Sequence, residues 1–330
     1  MRKRAATLAL LPMMVAILAA PSVVQAQEQP YPNRPIILVV PNPPGGTVDI
    51  MARTVADSMG KELGQRVVVE NRSPGASGTI AARQFVRVAP DGYTLLMGFT
   101  TLLATAPSLF SNVNFDPRKD FTPIGLIGST PSVVVTNLDL PVHNIRELIA
   151  LMKASPKPVQ VGSAGVVSTN YLTAGMFARE AGVKIEQIPY KGSGPVITDL
   201  IGGHIKVVFN PLPAARAAIE NKQIRAIAVT SLTRSPLFPD VEPIAESALP
   251  GFNSVLSYGI VGPAGLPRPI VERLNAALRV ALGTELVRKR LLQEGAESSP
   301  GTPEEYAAII DRQETQWSGV IKAMGLKAKD

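Results

Sequence analysis

A short turn rich in proline and glycine, residues 41–46, constrains the fold of this chain more than any other stretch. It follows Ile36–Val40, a mostly β-branched apolar run that is typical of a central strand covered on both faces. The prolines and glycines end the strand, and Thr47 is placed to cap a helix continuing through Leu63. Because unpaired N–H groups of the first helical turn lie beside residues without a Cβ, an anion can approach closely. The turn predicts a site for a small carboxylate.

Neither common phosphate-binding motif is present in this turn. It lacks both G-x-x-x-x-G-K-[ST] and G-x-G-x-x-G, and Asp49 falls in the first helical turn, where it would oppose a strongly charged anion. A tight turn with glycines for geometry alone is an equally good interpretation of the stretch in isolation. Other parts of the sequence are needed to distinguish an anion site from a purely structural turn.

The first residues have the pattern of a secretory signal peptide. Residues 2–4 are basic, residues 8–20 are mostly apolar, and residues 24–26 fit a small-residue cleavage site, so we expect cleavage after Ala26. The sequence contains no cysteine, which excludes disulfides and a lipid-anchored cysteine. No later apolar run has membrane-spanning length. These features predict an exported, periplasmic protein.

The charge of the chain gives little support to nucleic-acid binding. Loss of the three cations of the leader lowers the formal net charge from +7 to +4. The tightest later cluster is Arg-Lys-Arg at residues 288–290, on an amphipathic helical pattern, where a solvated helix face is the simplest interpretation. Mild basicity favours anionic solutes in general.

The first half of the mature chain alternates strands and helices. Strands are predicted at residues 66–70 and 93–98, with a helix around residues 81–86 between them. Together with the opening strand and helix, this order indicates a doubly wound α/β domain with a largely parallel sheet. Ligands bind beyond the carboxyl ends of such strands, which here means the loop at residues 42–47 and the segment containing Thr100.

A second series of the same kind follows. Residues 123–127 and 132–136 are two extended stretches, and the series that begins after them predicts a second α/β domain. Its helices are expected after caps at Asn144 and Ser168, near residues 195–201 and after Pro211, and its strands at residues 159–161, 184–188, 205–209 and 225–230.

The C-terminal segment predicts three helices, beginning near Pro267, Thr284 and Thr302. The last has a capping-box pattern, with Glu305 three residues after Thr302. We expect these helices to pack back on the first domain and leave a hinged cleft. The expected organisation is a signal peptide at residues 1–26, a first lobe of residues 27–130 and 255–330, and a second lobe of residues 131–254.

A second turn, residues 161–170, has the same sequence pattern as the first and lies in the predicted second domain. A strand ends, small residues follow, and a helix starts with hydroxyl or amide side chains. Two such loops that face each other can bind one anion from both sides through backbone N–H groups and hydroxyls, with no need for lysine or arginine.

Catalytic motifs are weak. His143 and His204 are the only histidines and have no partner motif, which favours a structural or surface role. Ser163 is a conceivable nucleophile, but Val161 stands where a G-x-S-x-G elbow requires glycine. No Cys/His cluster indicates a metal, although scattered carboxylates leave such a site open, and we expect no cofactor.

Several motifs together resemble the Bug family, the periplasmic solute receptors of tripartite tricarboxylate transporters (TctC-like). They span nearly the whole chain and are Tyr-Pro-Asn-Arg-Pro-Ile at 31–36, Pro-Pro-Gly-Gly-Thr-Val-Asp at 43–49, Val-Glu-Asn-Arg at 69–72, Pro-Asp-Gly-Tyr-Thr-Leu-Leu at 90–96, Pro-Tyr-Lys-Gly at 189–192 and Arg-Ala-Ile-Ala-Val-Thr-Ser at 225–231. The resemblance implies a two-lobed periplasmic binding-protein fold, type II-like, that closes on a small organic carboxylate.

The resemblance also implies which residues hold the ligand. They are the residues of the two turns and of the cleft walls, namely Pro44, Gly45, Gly46, Asp49, Thr100, Ser163, Gly165, Ser168, Asn170 and Asn210. Asp49 is expected to orient its loop, bind water or meet a ligand cation. Two departures from the family pattern, Asn42 in place of an aromatic residue and an additional Ser73, bear on the pocket and its rim.

The sequence therefore predicts a monomeric, non-enzymatic receptor that delivers a small carboxylate to transporter subunits in the membrane. A hydrolase that uses Ser163 is the alternative from another class. A ligand sensor for a signalling system is a third possibility, and the sequence does not separate it from transport.

Overall fold

A ten-stranded mixed sheet organises the structure, a computed structural model that describes residues 30–72, 78–166 and 168–327. Its strands are β1 (Ile36–Val40), β2 (Val67–Asn71), β3 (Thr94–Phe99), β4 (Phe121–Thr136), β5 (Val159–Ser163), β6 (Ile185–Pro189), β7 (Val207–Pro211), β8 (Arg225–Val229), β9 (Val255–Pro263) and β10 (Glu297–Ser298).

Helices cover both faces of this sheet. They are α1 (Thr47–Leu63), α2 (Thr79–Phe85), α3 (Ala106–Leu109), α4 (Ile145–Ala154), α5 (Thr169–Ala181), α6 (Ser193–Ile201), α7 (Leu212–Glu220), α8 (Ile244–Ser247), α9 (Arg268–Gly283), α10 (Glu285–Gln293) and α11 (Pro303–Ala323). A π-helical turn, Thr101–Thr105, leads into α3. No helix within the described ranges is both long enough and apolar enough to cross a membrane.

The order of the sheet is β2-β1-β3-β9-β4-β7-β5-β6, and β8 and β10 also pair with β4. Strand β1 lies parallel to β2 and β3, and β5 lies parallel to β6 and β7. Between these parallel groups, β9 and β4 run antiparallel to their neighbours. Parallel strands buried by helices on both faces account for the apolar runs in the sequence.

Strand β4 joins the two groups. It pairs with β9 as far as Pro131, and from Ser132 onward it pairs with β7 and β8. Both predicted extended stretches lie in β4, but they form one strand, because the chain passes from one group to the other without a turn. Irregularities in register next to Gly125 and Gly128 let the strand continue through a segment rich in glycine and proline.

Three hydrophobic clusters fill the layers. The first packs β1, β3 and β9 against α1 and α9. The second and third lie on opposite faces of the β7 group, one toward α5 and the other toward α6 and α7. Helix α11 contributes Tyr306 and Ile310 to the first cluster and Trp317 to the second. It therefore packs against both strand groups. Burial of one large apolar side chain stabilises the folded state by about 1.5–3 kcal/mol.

The boundaries expected for the two lobes stay a prediction. Tyr31–Asp330 forms one compact unit through which the sheet is continuous. The partner switch of β4 between Pro131 and Ser132 coincides with one expected boundary, and the start of β9 at Val255 coincides with the other.

The helix starts follow the sequence closely, with one exception. Asn144 and Ser168 cap α4 and α5, and Thr302 forms the expected capping box with Glu305. The prediction that Thr47 caps α1 was wrong. Gly46 occupies the cap position without a side-chain hydrogen bond, and Thr47 is the first helical residue.

Candidate functional site

The turn at residues 41–46 joins the carboxyl end of β1 to α1. Gly45 has φ 82°, in the left-handed region where glycine is favoured, and Pro44, Gly45 and Gly46 are exposed. A Cβ placed on Gly46 would meet no atom nearer than the carbonyl oxygen of Pro43, at 3.9 Å. The space above the turn is open, as close approach of a ligand to the main chain requires.

Asp49 fixes the shape of this turn. Its side chain is only 3% exposed, and its Oδ2 accepts a hydrogen bond from the backbone N–H of Gly45 at 2.9 Å. Arg53 Nε donates to both carboxylate oxygens, at 3.0 and 3.1 Å, and Asn71 Nδ2 donates to Oδ1 at 2.8 Å. Asn71 also donates to the carbonyl oxygen of Asn42 at 3.1 Å. Of the roles expected for Asp49, orientation of the loop agrees with these contacts.

These contacts also determine the charge of Asp49. Burial acts to raise the pKa of this carboxyl, but hydrogen bonds from Arg53, Gly45 and Asn71 outweigh burial and hold the pKa below its ordinary value. Asp49 is therefore ionised at neutral pH, and Arg53 neutralises it within the fold. The repulsion of an incoming anion that the sequence suggested is correspondingly reduced.

The second turn is also held by a hydrogen bond between a polar side chain and a glycine of the loop. Ser168 Oγ donates to the carbonyl oxygen of Gly165 at 2.7 Å and accepts from the backbone N–H of Tyr171 at 3.2 Å. Gly165 has φ 128°. In both turns a polar side chain at the start of a helix is bonded to a glycine of the preceding loop. This leaves the free N–H groups of the first helical turn to face outward.

A cavity of about 260 Å³ is lined by residues of the second turn and by Val48, which lies two residues beyond the first turn. Residues at or next to the starts of four helices line it: Val48, the second residue of α1, Thr169 and Ser193, the first residues of α5 and α6, and Pro211, immediately before α7. No lysine or arginine is among the described residues that line it. The partial positive charge at the start of a helix favours an anion nearby, so the helix starts at this cavity are suited to an anionic ligand.

The remaining walls come from more distant parts of the chain. Phe99 and Thr101 follow β3, and Leu256 and Tyr258 belong to β9. Tyr258 is 5% exposed, and burial raises the pKa of its phenol above the ordinary value, so it stays neutral. These walls supply an apolar surface beside the polar helix ends.

Seven of the ten expected site residues lie at the cavity, next to one of its lining residues, or on the first turn. Ser168 and Asn170 line the cavity, and Ser163 and Gly165 flank Ala164, which also lines it. Pro44, Gly45 and Gly46 lie on the first turn beside the lining residue Val48 but do not line the cavity themselves.

Thr100 is placed differently from what the sequence suggested. Its hydroxyl donates to Gln313 Oε1 at 2.9 Å and accepts from the backbone N–H of Ser257 at 2.7 Å, and the residue is 2% exposed. Its hydrogen-bonding capacity is used within the fold. Thr100 therefore supports the wall that its neighbours Phe99 and Thr101 form.

Several buried polar atoms near the turns have no hydrogen-bond partner among the described residues. They are Ser163 Oγ, both amide atoms of Asn210, and Asn42 Oδ1. Ser163 and Asn210 are fully buried at the carboxyl ends of the parallel strands β5 and β7. Since an unpaired buried polar group costs about 1–3 kcal/mol, such groups point to a bound molecule or ordered water.

A chain of hydrogen bonds joins the cavity to the point where the two strand groups meet. Asn170 Oδ1 accepts from Ser132 Oγ at 3.2 Å, and the backbone N–H of Ser132 donates to Thr230 Oγ1 at 2.9 Å. The backbone N–H of Ser254 donates to the carbonyl oxygen of Thr230 at 2.8 Å. All four residues are buried. The helix start at Asn170 is thus linked to the two segments that pass between the groups, β4 at Ser132 and the chain that enters β9 at Ser254, and to Thr230 at the end of β8.

The structure offers little support for catalysis at Ser163. Within the described ranges its hydroxyl contacts no base, since it forms no hydrogen bond there. His143 and His204 have no hydrogen bond to it. No cluster of three potential metal-binding side chains occurs among the described residues. Ser73, the second departure noted in the sequence, lies outside the described residues.

The sequence did not identify most of the apolar and small lining residues. Val48 and Ser193 could have been found, because each stands at a helix start after a glycine-containing turn. Leu256 and Tyr258 carry no local signal, since only the pairing of β9 with β3 and β4 brings them to the cavity. A larger open groove of about 610 Å³ lies between α1 and β2 and contains none of the expected site residues.

Comparison with known proteins agrees with this architecture. A family model described as the tripartite tricarboxylate transporter family receptor matches residues 51–326. Protein BugT of Bordetella pertussis is 36% identical over 300 residues, which cover 91% of this chain and 92% of BugT.

Solved structures extend the likeness to the fold. Rpa4515 of R. palustris with adipate is 33% identical with a TM-score of 0.74, and the match covers 91% of this chain and 100% of Rpa4515. MatC of Rhodopseudomonas palustris with bound malate is 31% identical with a TM-score of 0.70, over 88% of this chain and 100% of MatC. The two-lobed fold and the Bug-type resemblance expected from the sequence are confirmed. The chain belongs to the tripartite tricarboxylate transporter family of receptors, whose members are periplasmic solute-binding proteins.

Proposed function

We propose that this protein captures a small organic carboxylate in the cavity between its two turns. The observation that carries the proposal is the convergence of four helix starts on a cavity whose described lining residues include no lysine or arginine. A carboxylate there can accept hydrogen bonds from backbone N–H groups of the helix starts and from hydroxyls. A cationic solute would meet the wrong ends of the dipoles.

The energetics are adequate for useful affinity. Hydrogen bonds to a charged group contribute about 1.5–3 kcal/mol each. About four of them, less the cost of lost translational and rotational freedom, are compatible with the roughly −8 kcal/mol of a micromolar complex. No ion pair with the ligand is needed.

We assign the expected site residues two kinds of role: some contact the ligand, and others hold the surrounding loops and walls in place. We propose that Gly45, Gly46, Ser163, Gly165, Asn170 and Asn210 contact the ligand or its bound water, with Pro44 shaping the first turn. Asp49, Ser168 and Thr100 act through the contacts described above, because their polar atoms are engaged within the fold.

The class of ligand follows from the chemistry of the site and from the relatives. Rpa4515 holds adipate and MatC holds malate, and both ligands are dicarboxylates. In this chain Asn210 and Ser163 offer unpaired polar atoms besides the helix starts. A second polar group on the ligand therefore has candidate partners, and aliphatic dicarboxylates are the first compounds to test.

The biological role that fits this site is delivery. After cleavage behind Ala26, the mature monomer would bind its solute in the periplasm and release it to the membrane subunits of a tripartite tricarboxylate transporter, without catalysis. A sensor would bind equally well but would leave uptake unchanged when its gene is deleted. Loss of uptake of the bound acid on deletion supports delivery.

Closure around the ligand is the structural test. Two segments pass between the strand groups, β4 at Ser132 and the chain that enters β9 at Ser254, and a small rotation there can open or close the cavity. We expect small-angle X-ray scattering to show a reduced radius of gyration with a saturating dicarboxylate. Unchanged dimensions, with binding demonstrated by calorimetry, would exclude hinge closure.

A further inference from the structure

A basic and partly apolar surface on α9 and α10 has no role in the site. Residues 276–293 contain four cations, Arg279, Arg288, Lys289 and Arg290, and one acid, Glu285. All four cations are exposed. We call these cations, with Val280 and Leu286, the α10 surface.

The cations of this surface are close together in sequence and have no carboxylate partner among the described residues. None of the four forms an ion pair with a described residue, and the Arg290 guanidinium donates only to Gln293 Oε1, at 3.3 Å. Elsewhere on α9, Arg268 pairs with Glu272 and Glu304, and Arg273 pairs with Glu62. The fold therefore neutralises the start of α9 and leaves the α10 surface charged.

The same surface exposes two large aliphatic side chains. Leu286 is 75% exposed, more than any other large hydrophobic residue in the described part of the chain, and Val280 is 52% exposed. They lie six positions apart, on either side of Thr284, which caps α10. Exposed aliphatics beside unpaired cations are the composition of a surface that rests at a membrane interface.

The arrangement of the cations favours a broad anionic surface over a single small anion. Arg288, Lys289 and Arg290 are consecutive, so successive side chains point about 100° apart around the helix. Val287 and Leu291 are buried and hold α10 against the first hydrophobic cluster. The three cations are thereby spread over a fixed and exposed helix, which suits phospholipid headgroups better than one carboxylate.

We infer that the α10 surface docks this protein on membranes rich in anionic phospholipid. Such docking would hold a solute receptor near membrane-embedded transporter subunits, and it does not depend on which solute is bound. Binding should be reversible and sensitive to salt, because each cation near the surface adds only a modest attraction that ions screen.

Vesicle flotation tests the inference with the mature protein. We expect the protein to float with vesicles of equal parts phosphatidylglycerol and phosphatidylcholine at about 50 mM salt, and to be released at about 0.5 M salt. It should not float with phosphatidylcholine alone. The variant R288E/K289E/R290E should bind the anionic vesicles roughly a hundredfold or more weakly, since three attractions are lost. Leu286→Ser should cause a smaller loss.

A matched control separates this surface from net charge. Lys153, Lys157 and Lys184 are also exposed and unpaired among the described residues, and K153E/K157E/K184E changes the net charge equally. That control should float like the wild type, and both triple variants should keep wild-type melting temperatures. Equal loss in both variants, or no flotation of the wild type, would overturn the inference. Binding only to membranes that contain the transporter would overturn it in favour of an acidic protein partner.

Discussion

The backbone N–H of Gly45 donates a hydrogen bond to Oδ2 of Asp49 at 2.9 Å, so an acidic residue in the first turn of α1 shapes the loop before it. The same carboxylate is held by Arg53 and Asn71. A charge that would oppose an anion is thereby used inside the fold. The loop that contains Gly45 and Gly46 is thereby held in one conformation.

Replacement of Asp49 by Asn should destabilise the protein and weaken ligand binding together. The variant loses charge-assisted hydrogen bonds in a buried position, which predicts a loss of about 1–3 kcal/mol in the free energy of unfolding at pH 7. Denaturant titration measures this loss. Asp57→Asn, at an exposed position of the same helix, is the control and should change stability little. Equal effects of the two substitutions would refute the role given to Asp49.

The stability conferred by Asp49 should depend on pH in one direction. Its folded-state pKa lies below the unfolded value of about 4, so its contribution is complete above that value and is lost as the pH falls through the folded pKa. The stability difference between wild type and Asp49→Asn should be constant from about pH 6 to 8 and shrink below about pH 4. A difference that widens on acidification would contradict the assignment.

Replacement of Gly46 by Val should weaken ligand binding while leaving the fold intact. A Cβ at this position meets no atom nearer than 3.9 Å and the backbone has φ −81°, so valine fits the ligand-free protein. Its branched side chain would occupy the space where a carboxylate approaches the turn, and we expect a loss of about tenfold or more, or roughly 1.4 kcal/mol. Gly319→Val, at an open and exposed position of α11, is the control. Calorimetric affinities equal to wild type would remove the first turn from the site.

Replacement of Asn210 by Leu should separate binding from stability. Both amide atoms of Asn210 are buried without a described partner, so an apolar side chain of similar size should leave the unfolding free energy unchanged or slightly higher. If Asn210 contacts the ligand or its bound water as proposed, affinity for the carboxylate should fall, because the amide donor is lost. A large loss of stability without any change in affinity would show that Asn210 serves only the fold.

Replacement of Ser163 by Ala distinguishes a receptor from a hydrolase. The receptor account predicts that the wild type does not turn over carboxylic esters, since Ser163 Oγ contacts no base among the described residues. It also predicts that Ser163→Ala alters only affinity. Ester turnover that disappears in Ser163→Ala but persists in Gly46→Val would establish the enzymatic alternative.

Local patterns in the sequence were sufficient for the elements around the two turns. The run Ile36–Val40 and the caps at Ser168 and Thr302 are decided by neighbours within a few residues, and they were predicted correctly. Thr47 was predicted as the cap because no local pattern shows that Asp49 accepts the hydrogen bond from Gly45 that holds the loop. Propensity alone does not resolve such a competition between adjacent polar side chains.

Features that depend on long-range contacts could not be predicted from local sequence patterns. Residues 123–127 and 132–136 appeared as two strands, and only the partners β9, β7 and β8 show that they form one. Tyr258 reaches the cavity because β9 lies between β3 and β4, far from either in sequence. Thr100 was expected in the cleft, and its hydrogen bond to Gln313, 213 residues away, gives it a supporting role.

Calorimetric titration of the mature protein with a panel of monocarboxylates, dicarboxylates and tricarboxylates tests the central claim most directly. We predict that at least one of these acids binds with a stoichiometry of one and raises the melting temperature, with a stabilisation that grows with the logarithm of the ratio of its free concentration to its Kd. We also predict weaker binding of the same acid to Gly46→Val, with Gly319→Val unaffected. Tight binding of an uncharged or cationic solute, with no response to any carboxylate, would contradict the proposed function.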